Sequence, residues 1–127
     1  MNPLTITLPL PDRKLHPNGR TANHFQKARL VKKARGDAEL AAMAALRTAG
    51  IEKPFESATA KVTIYRKRAY RADGDGALSW CKPLFDGFTD AHVWPDDRVV
   101  TFLPVVFRVS EDERVEVVVS PIEKEAR

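Results

Sequence analysis

The sequence predicts a single α/β (α+β) domain whose elements run β-α-β-α-β-β. Three observations carry that reading. Apolar side chains alternate with a two-residue period in separate stretches near the start, middle and end of the chain. An alanine-rich segment of helical spacing lies between the first two. The length, 127 residues, suits one hydrophobic core without disulfide or metal staples.

Leu4-Thr5-Ile6-Thr7-Leu8 alternates and reads as the first strand, ended by Pro9 and Pro11, and residues 11–22 read as a turn-rich loop around Pro17-Asn18-Gly19. Asn23 or Thr21 caps a long helix that runs to about Ala49, with Gly50 as its stop. Ala38, Ala41, Ala42, Ala45 and Leu46 share a face of it, and Gly36 is the place where it would kink or divide. A second strand is expected from about Ala58 to Tyr70, with Ala58, Ala60, Val62 and Ile64 on one side. A short helix is expected from about Ser79 to Asp90, where Pro83 either lies in the first turn or bends the chain. Val99–Val109 and Arg114–Ser120 are expected to form an antiparallel hairpin over 110–113, with Pro104 marking an edge or a bulge. The tail from Glu123 is charged and expected to fray, and there is no repeat, low-complexity segment or interdomain linker.

Composition narrows the classes. A content of 43% hydrophobic and 30% charged residues is that of a soluble globular protein. No apolar run approaches the ~20 residues of a membrane span, and residues 1–10 read as a strand rather than a signal peptide, so a cytoplasmic location is the default expectation. A single cysteine, Cys81, excludes an internal disulfide and a cysteine-based zinc site and is expected to be a small buried filler. The net charge of +4 hides a polarity: residues 1–71 carry 15 Lys/Arg against 5 Asp/Glu, residues 72–127 only 6 against 12. That division suits a polyanionic partner gripped by one part while carboxylates act in another.

The carboxylates fall in two motifs, Asp73-Gly74-Asp75-Gly76 and Trp94-Pro95-Asp96-Asp97. In an extended segment Asp73 and Asp75 would point to one side, and the glycines between and after them leave the backbone open to a close ligand. Aligned carboxylates repel unless a shared cation joins them. Asp97 would complete the site from the loop before the third strand, with Asp96 beside it as a further ligand or an orienting neighbour. Oxygen donors and waters suit Mg²⁺ or Mn²⁺. Asp-Gly and Pro-Asp-Asp are also ordinary turn sequences; a calcium loop of the EF-hand kind fails because Ala77, Leu78 and Leu84 stand where its required residues belong. Lys82 is placed to offset charge on a phosphate in its transition state. Arg20, His24, Lys27, Lys32, Lys33, Arg66, Arg68 and Arg71 are the candidate phosphate contacts. His16 and His92 read as loop or surface residues, and Trp80 and Trp94 as packing residues beside the acidic loops, Trp94 with the option of touching a base.

The ordered set Asp73-Gly-Asp75, Lys82-Pro-Leu-Phe-Asp86-Gly-Phe and Val93-Trp-Pro-Asp96-Asp97 resembles the core of the RusA-type Holliday-junction resolvases, small endodeoxyribonucleases often carried by phages and prophages. Leu8-Pro-Leu-Pro-Asp, Leu15-His-Pro-Asn18-Gly-Arg20 and Lys27-Ala-Arg-Leu-Val-Lys32 are similar to that family's lead-in, so the resemblance spans nearly the whole chain. It implies a mixed α/β fold with a mixed β-sheet, a homodimer, four-way DNA junctions as substrate, and symmetric nicking with Mg²⁺ or Mn²⁺. It also implies that Asp73, Asp75 and Asp97 are the catalytic metal-binding aspartates and Lys82 the catalytic lysine. Gly76 departs from the asparagine usual after the second aspartate. No organic cofactor or membrane partner is expected. The dimer contact falls to the apolar 98–109 strand or the alanine-rich helix face.

Overall fold

Alternating residues of β1 (Leu4–Leu8), β2 (Ala58–Arg66) and β5 (Arg114–Pro121) bury one side of a sheet: Leu4, Ile6 and Leu8, then Ala58, Ala60, Val62 and Ile64, then Val115, Val117 and Val119. In this computed structural model residues 2–17, 23–68 and 74–123 are described, with only the backbone of Gly74 and Asp75. The domain is α+β, with a mixed five-stranded sheet and three helices, α1 (His24–Ala49), α2 (Gly74–Trp80) and α3 (Lys82–Asp90). Among the described residues no helix is long and apolar enough to cross a membrane.

Helix α1 starts and stops where its caps place it. Asn23 accepts from the Gln26 amide at 2.8 Å while the Gln26 side chain reaches back to the Asn23 amide, a reciprocal capping box. Gly50 closes the other end in the left-handed conformation, φ 68°, which glycine adopts without strain. The helix runs unbroken through Gly36, contrary to the expected kink; its hydrogen-bonded turns on both sides outweigh one residue's low propensity. Thr21, the alternative cap, lies outside the described residues.

The segment expected to be one helix from about Ser79 to Asp90 is two. Helix α2 begins earlier, at Gly74, and ends at Trp80; α3 restarts at Lys82 after Cys81. Pro83 is the cause of the restart: it sits in the first turn of α3, where its missing N–H costs nothing. Beyond Asp90 the chain turns through His92, a non-glycine residue at φ 64°, whose amide donates to the Thr89 carbonyl at 3.0 Å.

Strand β2 ends at Arg66; Ala69 and Tyr70, to which it was expected to run, are outside the described residues. The expected 99–109 strand is two pieces, β3 (Val100–Phe102) and β4 (Val106–Val109), both parallel to β2. Ala60 pairs with Phe102 and Thr63 with Val106, so two residues of β2 face the three residues 103–105, and the extra residue is a bulge at Pro104 on an edge strand. The expected antiparallel hairpin is absent. Strand β5 pairs with β1 and with the far side of β2, leaving β2 between β4 and β5. The reason is the crossover through α2 and α3, which returns the chain parallel to β2 and commits one of its edges before β5 exists. The connection after β4 then passes over the end of β2, where the Ser110 amide donates to the Arg66 carbonyl at 2.8 Å.

Helices α1 and α3 pack on each other at their backbones. A Cβ on Gly87 would collide with the Arg35 carbonyl oxygen and lie 2.8 Å from the Ala38 Cβ and 3.0 Å from the Glu39 nitrogen. Arg35 adds a two-pronged ion pair to Asp90, at 2.5 and 2.8 Å. Trp80, Phe88, Trp94 and Phe55 complete the core, all fully buried.

Gly36 of α1 and Gly87 of α3 therefore respond oppositely to alanine. Gly87→Ala forces backbone apart and should destabilise by about 1–3 kcal/mol. Gly36→Ala meets nothing within 4 Å and should stabilise by about 0.5–1 kcal/mol. Urea-unfolding midpoints of the two variants, moving in opposite directions, check this.

Candidate active site

Two buried tryptophans anchor the segments that carry the candidate side chains. The Trp94 indole donates to the Thr89 hydroxyl at 2.7 Å, and its ring meets Phe88 and Phe102 edge-on, with centroids 5.8 and 6.4 Å away. Such burial leaves Trp94 no face for a base; its role is packing. Directly after it, Asp96 caps a 3-10 turn over Asp97–Val99, accepting from the Arg98 amide at 2.8 Å and from the Arg98 guanidinium at 3.2 and 3.3 Å. The cap bond and Arg98 hold the Asp96 carboxyl below the usual carboxylate range. Both Asp96 oxygens thus have partners within their own turn, and Asp97 is the member of the pair turned towards a helix.

That helix is α3. Lys82, its first residue, donates to Asp86 Oδ1 at 2.7 Å and to Asp97 Oδ2 at 3.0 Å. All three side chains keep partial solvent contact, 54% for Lys82, 33% for Asp86 and 40% for Asp97. The hydrogen bonds that Lys82 donates, to Asp86 and then to Asp97, raise its pKa, so the group is an ammonium. Helix stability alone would not select this arrangement. A cation in the first turn opposes the helix dipole, at a cost of about 0.3–1 kcal/mol, and lysine preceding the acid at i, i+4 is the weaker order. Local rules broken in this way are found at functional or strained sites. Lys82 also lines a cavity of about 310 Å³, together with Leu78, Ser79, Phe85 and Phe102.

The second anchor, Trp80, ends α2. Its indole donates to the Asp12 carbonyl at 2.9 Å, the His16 ring packs edge-on at 5.4 Å, and the Arg66 guanidinium lies over it at 5.8 Å. Asp75 lies in the opening turn of α2, so the extended geometry expected to align it with Asp73 does not hold at Asp75. Asp73 and the Asp75 side chain are outside the described residues, as are Arg20 and Arg71. Among the described residues no three His, Cys, Asp or Glu side chains are placed to share one ion. Cys81 is fully buried and its thiol is pushed up to about 12 by burial, an inert filler as the sequence suggested.

Of the candidate phosphate contacts, His24, Lys27, Lys32 and Lys33 are exposed along the first half of α1. Lys33 is paired with Asp37 at 2.7 Å on the same helix rather than with the Lys82 cluster. Arg68 is exposed; Arg66 is half-buried, with its Nε 4.0 Å from Glu113. Glu113 also accepts from the Lys67 amide at 3.0 Å, which fastens the turn after β4 to the basic end of β2. Sequence reasoning brought Lys82 and Asp97 together and missed Asp86 and Glu113. The Lys82-to-Asp86 spacing of four was a usable signal, but only once a helix is known to start at Lys82.

An uncharacterized protein of Xylella fastidiosa is 30% identical over 123 residues, covering 96% of this chain and 79% of that protein. No family model matches the chain.

Asp96 gives a pH test of the turn that carries Asp97. Its folded pKa is depressed, so its contribution is complete above the ordinary carboxylate range and disappears as pH falls through the lower folded value. Asp96→Ala should lower the urea midpoint at pH 7, and the gap from the parent protein should close towards the acid limit. Midpoints measured from pH 7 to pH 2 check the sign.

Proposed function

The chain belongs to one family with the uncharacterized Xylella fastidiosa protein, and we propose that it is a Mg²⁺- or Mn²⁺-dependent endodeoxyribonuclease that nicks four-way DNA junctions. The observation that supports this best is the meeting of Lys82 and Asp97, fifteen residues apart in the chain and 3.0 Å apart in space. Asp97 already receives a cation, the ammonium, so its oxygens face a position that tolerates positive charge. The donors available there are carboxylate oxygens, which fit a hard divalent ion. Asp73, Asp75 and Asp97 would hold the metal. When bound, it would lower the pKa of a water and polarise the scissile phosphate.

The chain's own residues then have separate tasks. Lys82 offsets negative charge that develops on the phosphate oxygens in the transition state. Asp96 fixes the turn that aims Asp97 and is not needed as a ligand. The exposed cations of α1 with Arg68 neutralise neighbouring phosphates, which makes affinity fall steeply with salt. Junctions are read through shape and backbone, so no base-reading code is required. Two symmetric cuts call for a homodimer with isologous contacts.

A second reading has one specific observation in its favour. Gly76, in the first half of α2, lacks the asparagine side chain that the resembling nucleases usually carry after the second aspartate. A junction-binding protein of the same fold with little or no cleavage would suit that loss.

Junction binding and cleavage by the parent protein, Asp75→Asn and Asp97→Asn discriminate between them. The parent should nick four-way junctions in Mg²⁺ or Mn²⁺. Both variants should bind at least as well, having lost a negative charge, and cut slower by roughly 10²-fold or more. Binding without nicks by the parent favours the second reading; equal cutting by all three contradicts the first. Y-form and linear duplex controls define which branched substrate is preferred.

A further inference from the structure

Lys82 has two carboxylate partners of different mechanical standing. Asp86 is on the same helix, one turn along, and is the closer at 2.7 Å; Asp97 is on a separate 3-10 turn at 3.0 Å. The Lys82–Asp86 relation is therefore fixed by α3 itself, whereas the Lys82–Asp97 contact joins two elements. If Asp97 takes a divalent cation, the ammonium can no longer share its oxygens, because two positive charges would then lie side by side. Without Asp86 the ammonium would have Asp97 alone and would compete with the metal for it.

We infer that Asp86 is a positioning residue, which keeps the Lys82 ammonium beside the site while a divalent cation replaces it on Asp97. This rests on the metal-dependent reading proposed above. The exchange would give up the Lys82–Asp97 hydrogen bond for coordination of the cation by Asp97 and would break no covalent bond of the protein. It keeps Asp97 neutralised before the metal arrives and leaves the ammonium next to the phosphate afterwards. Asp86 itself touches neither metal nor phosphate and acts through Lys82.

Calorimetric titration of the full chain with Mn²⁺ tests the exchange without relying on turnover, using the parent protein, Lys82→Gln, Asp86→Asn and the double variant. Lys82→Gln removes the competitor and should tighten Mn²⁺ binding, and Asp86→Asn should weaken it, each by roughly two- to fivefold, the scale of a partly exposed ion pair. The double variant should bind like Lys82→Gln, because Asp86 has nothing left to hold. Asp86→Glu, which keeps the carboxylate within reach, should stay within about twofold of the parent and covers the case in which Asp86→Asn fails to fold. If the double variant shows the full Asp86→Asn weakening on top of Lys82→Gln, the acid acts only as a nearby charge and the inference is overturned. Parent-level affinity in Asp86→Asn overturns it too. The expected cycle with no junction cleavage by the parent would leave the exchange standing and remove the nuclease reading. No Mn²⁺ binding by the parent would remove both.

Discussion

Gly87 lies so close to Ala38 and to the Arg35 carbonyl that α3 rests on α1 almost backbone to backbone, and the Arg35–Asp90 ion pair ties the same two helices. Lys82 and Asp86 inherit their position from that contact. Because α3 is held there, its first residue, Lys82, is presented at one end and Asp86 one turn later, while Phe85 and Phe88 enter the core beside Trp94. Because Trp94 is buried against the same aromatic cluster, the turn that follows it delivers Asp97 to Lys82. A small residue at one helix crossing is thus linked, through packing alone, to a charge cluster at the surface.

The cluster is held together by opposed tendencies. An ammonium in the first turn of a helix is disfavoured by the helix dipole, and the two acids that stabilise it would repel one another without it. None of the three is deeply buried, so each retains access to solvent and to an incoming ion. Such a group can exchange partners at low cost, whereas a fully buried triad could not. Asp96, by contrast, is committed to Arg98, which makes the neighbouring acids unequal: one builds the turn and the other faces the site.

Much of this was legible from the chain alone. Asn23, Gly50 and the alanine spacing state where α1 begins, ends and faces, because caps and helical periodicity are local signals. The alternation of 4–8, 58–66 and 114–120 likewise declares which strand faces are buried. The failures over strand pairing and over the division into two helices share one cause. Whether 99–109 pairs with 114–120 or lies parallel to β2 depends on the crossover through α2 and α3, and nothing local encodes it. The division of residues 74–90 into two helices depends on Pro83 being tolerated only in a first turn, a choice that the packing of Trp80 and Phe85 makes. At the site, Lys82 and Asp97 could be matched across fifteen residues by their order within a motif set. Asp86 was hidden because a four-residue spacing has meaning only once the helix start is fixed.

The proposed nuclease depends on Asp97 exchanging an ammonium for a divalent ion in company with Asp73 and Asp75. Anomalous diffraction from crystals grown with Mn²⁺ tests this most directly. The expected result is a single strong manganese peak coordinated by oxygens of Asp73, Asp75 and Asp97, with Lys82 retained on Asp86 alone. A peak elsewhere, or none with Lys82 still bridging Asp86 and Asp97 at saturating Mn²⁺, would contradict it.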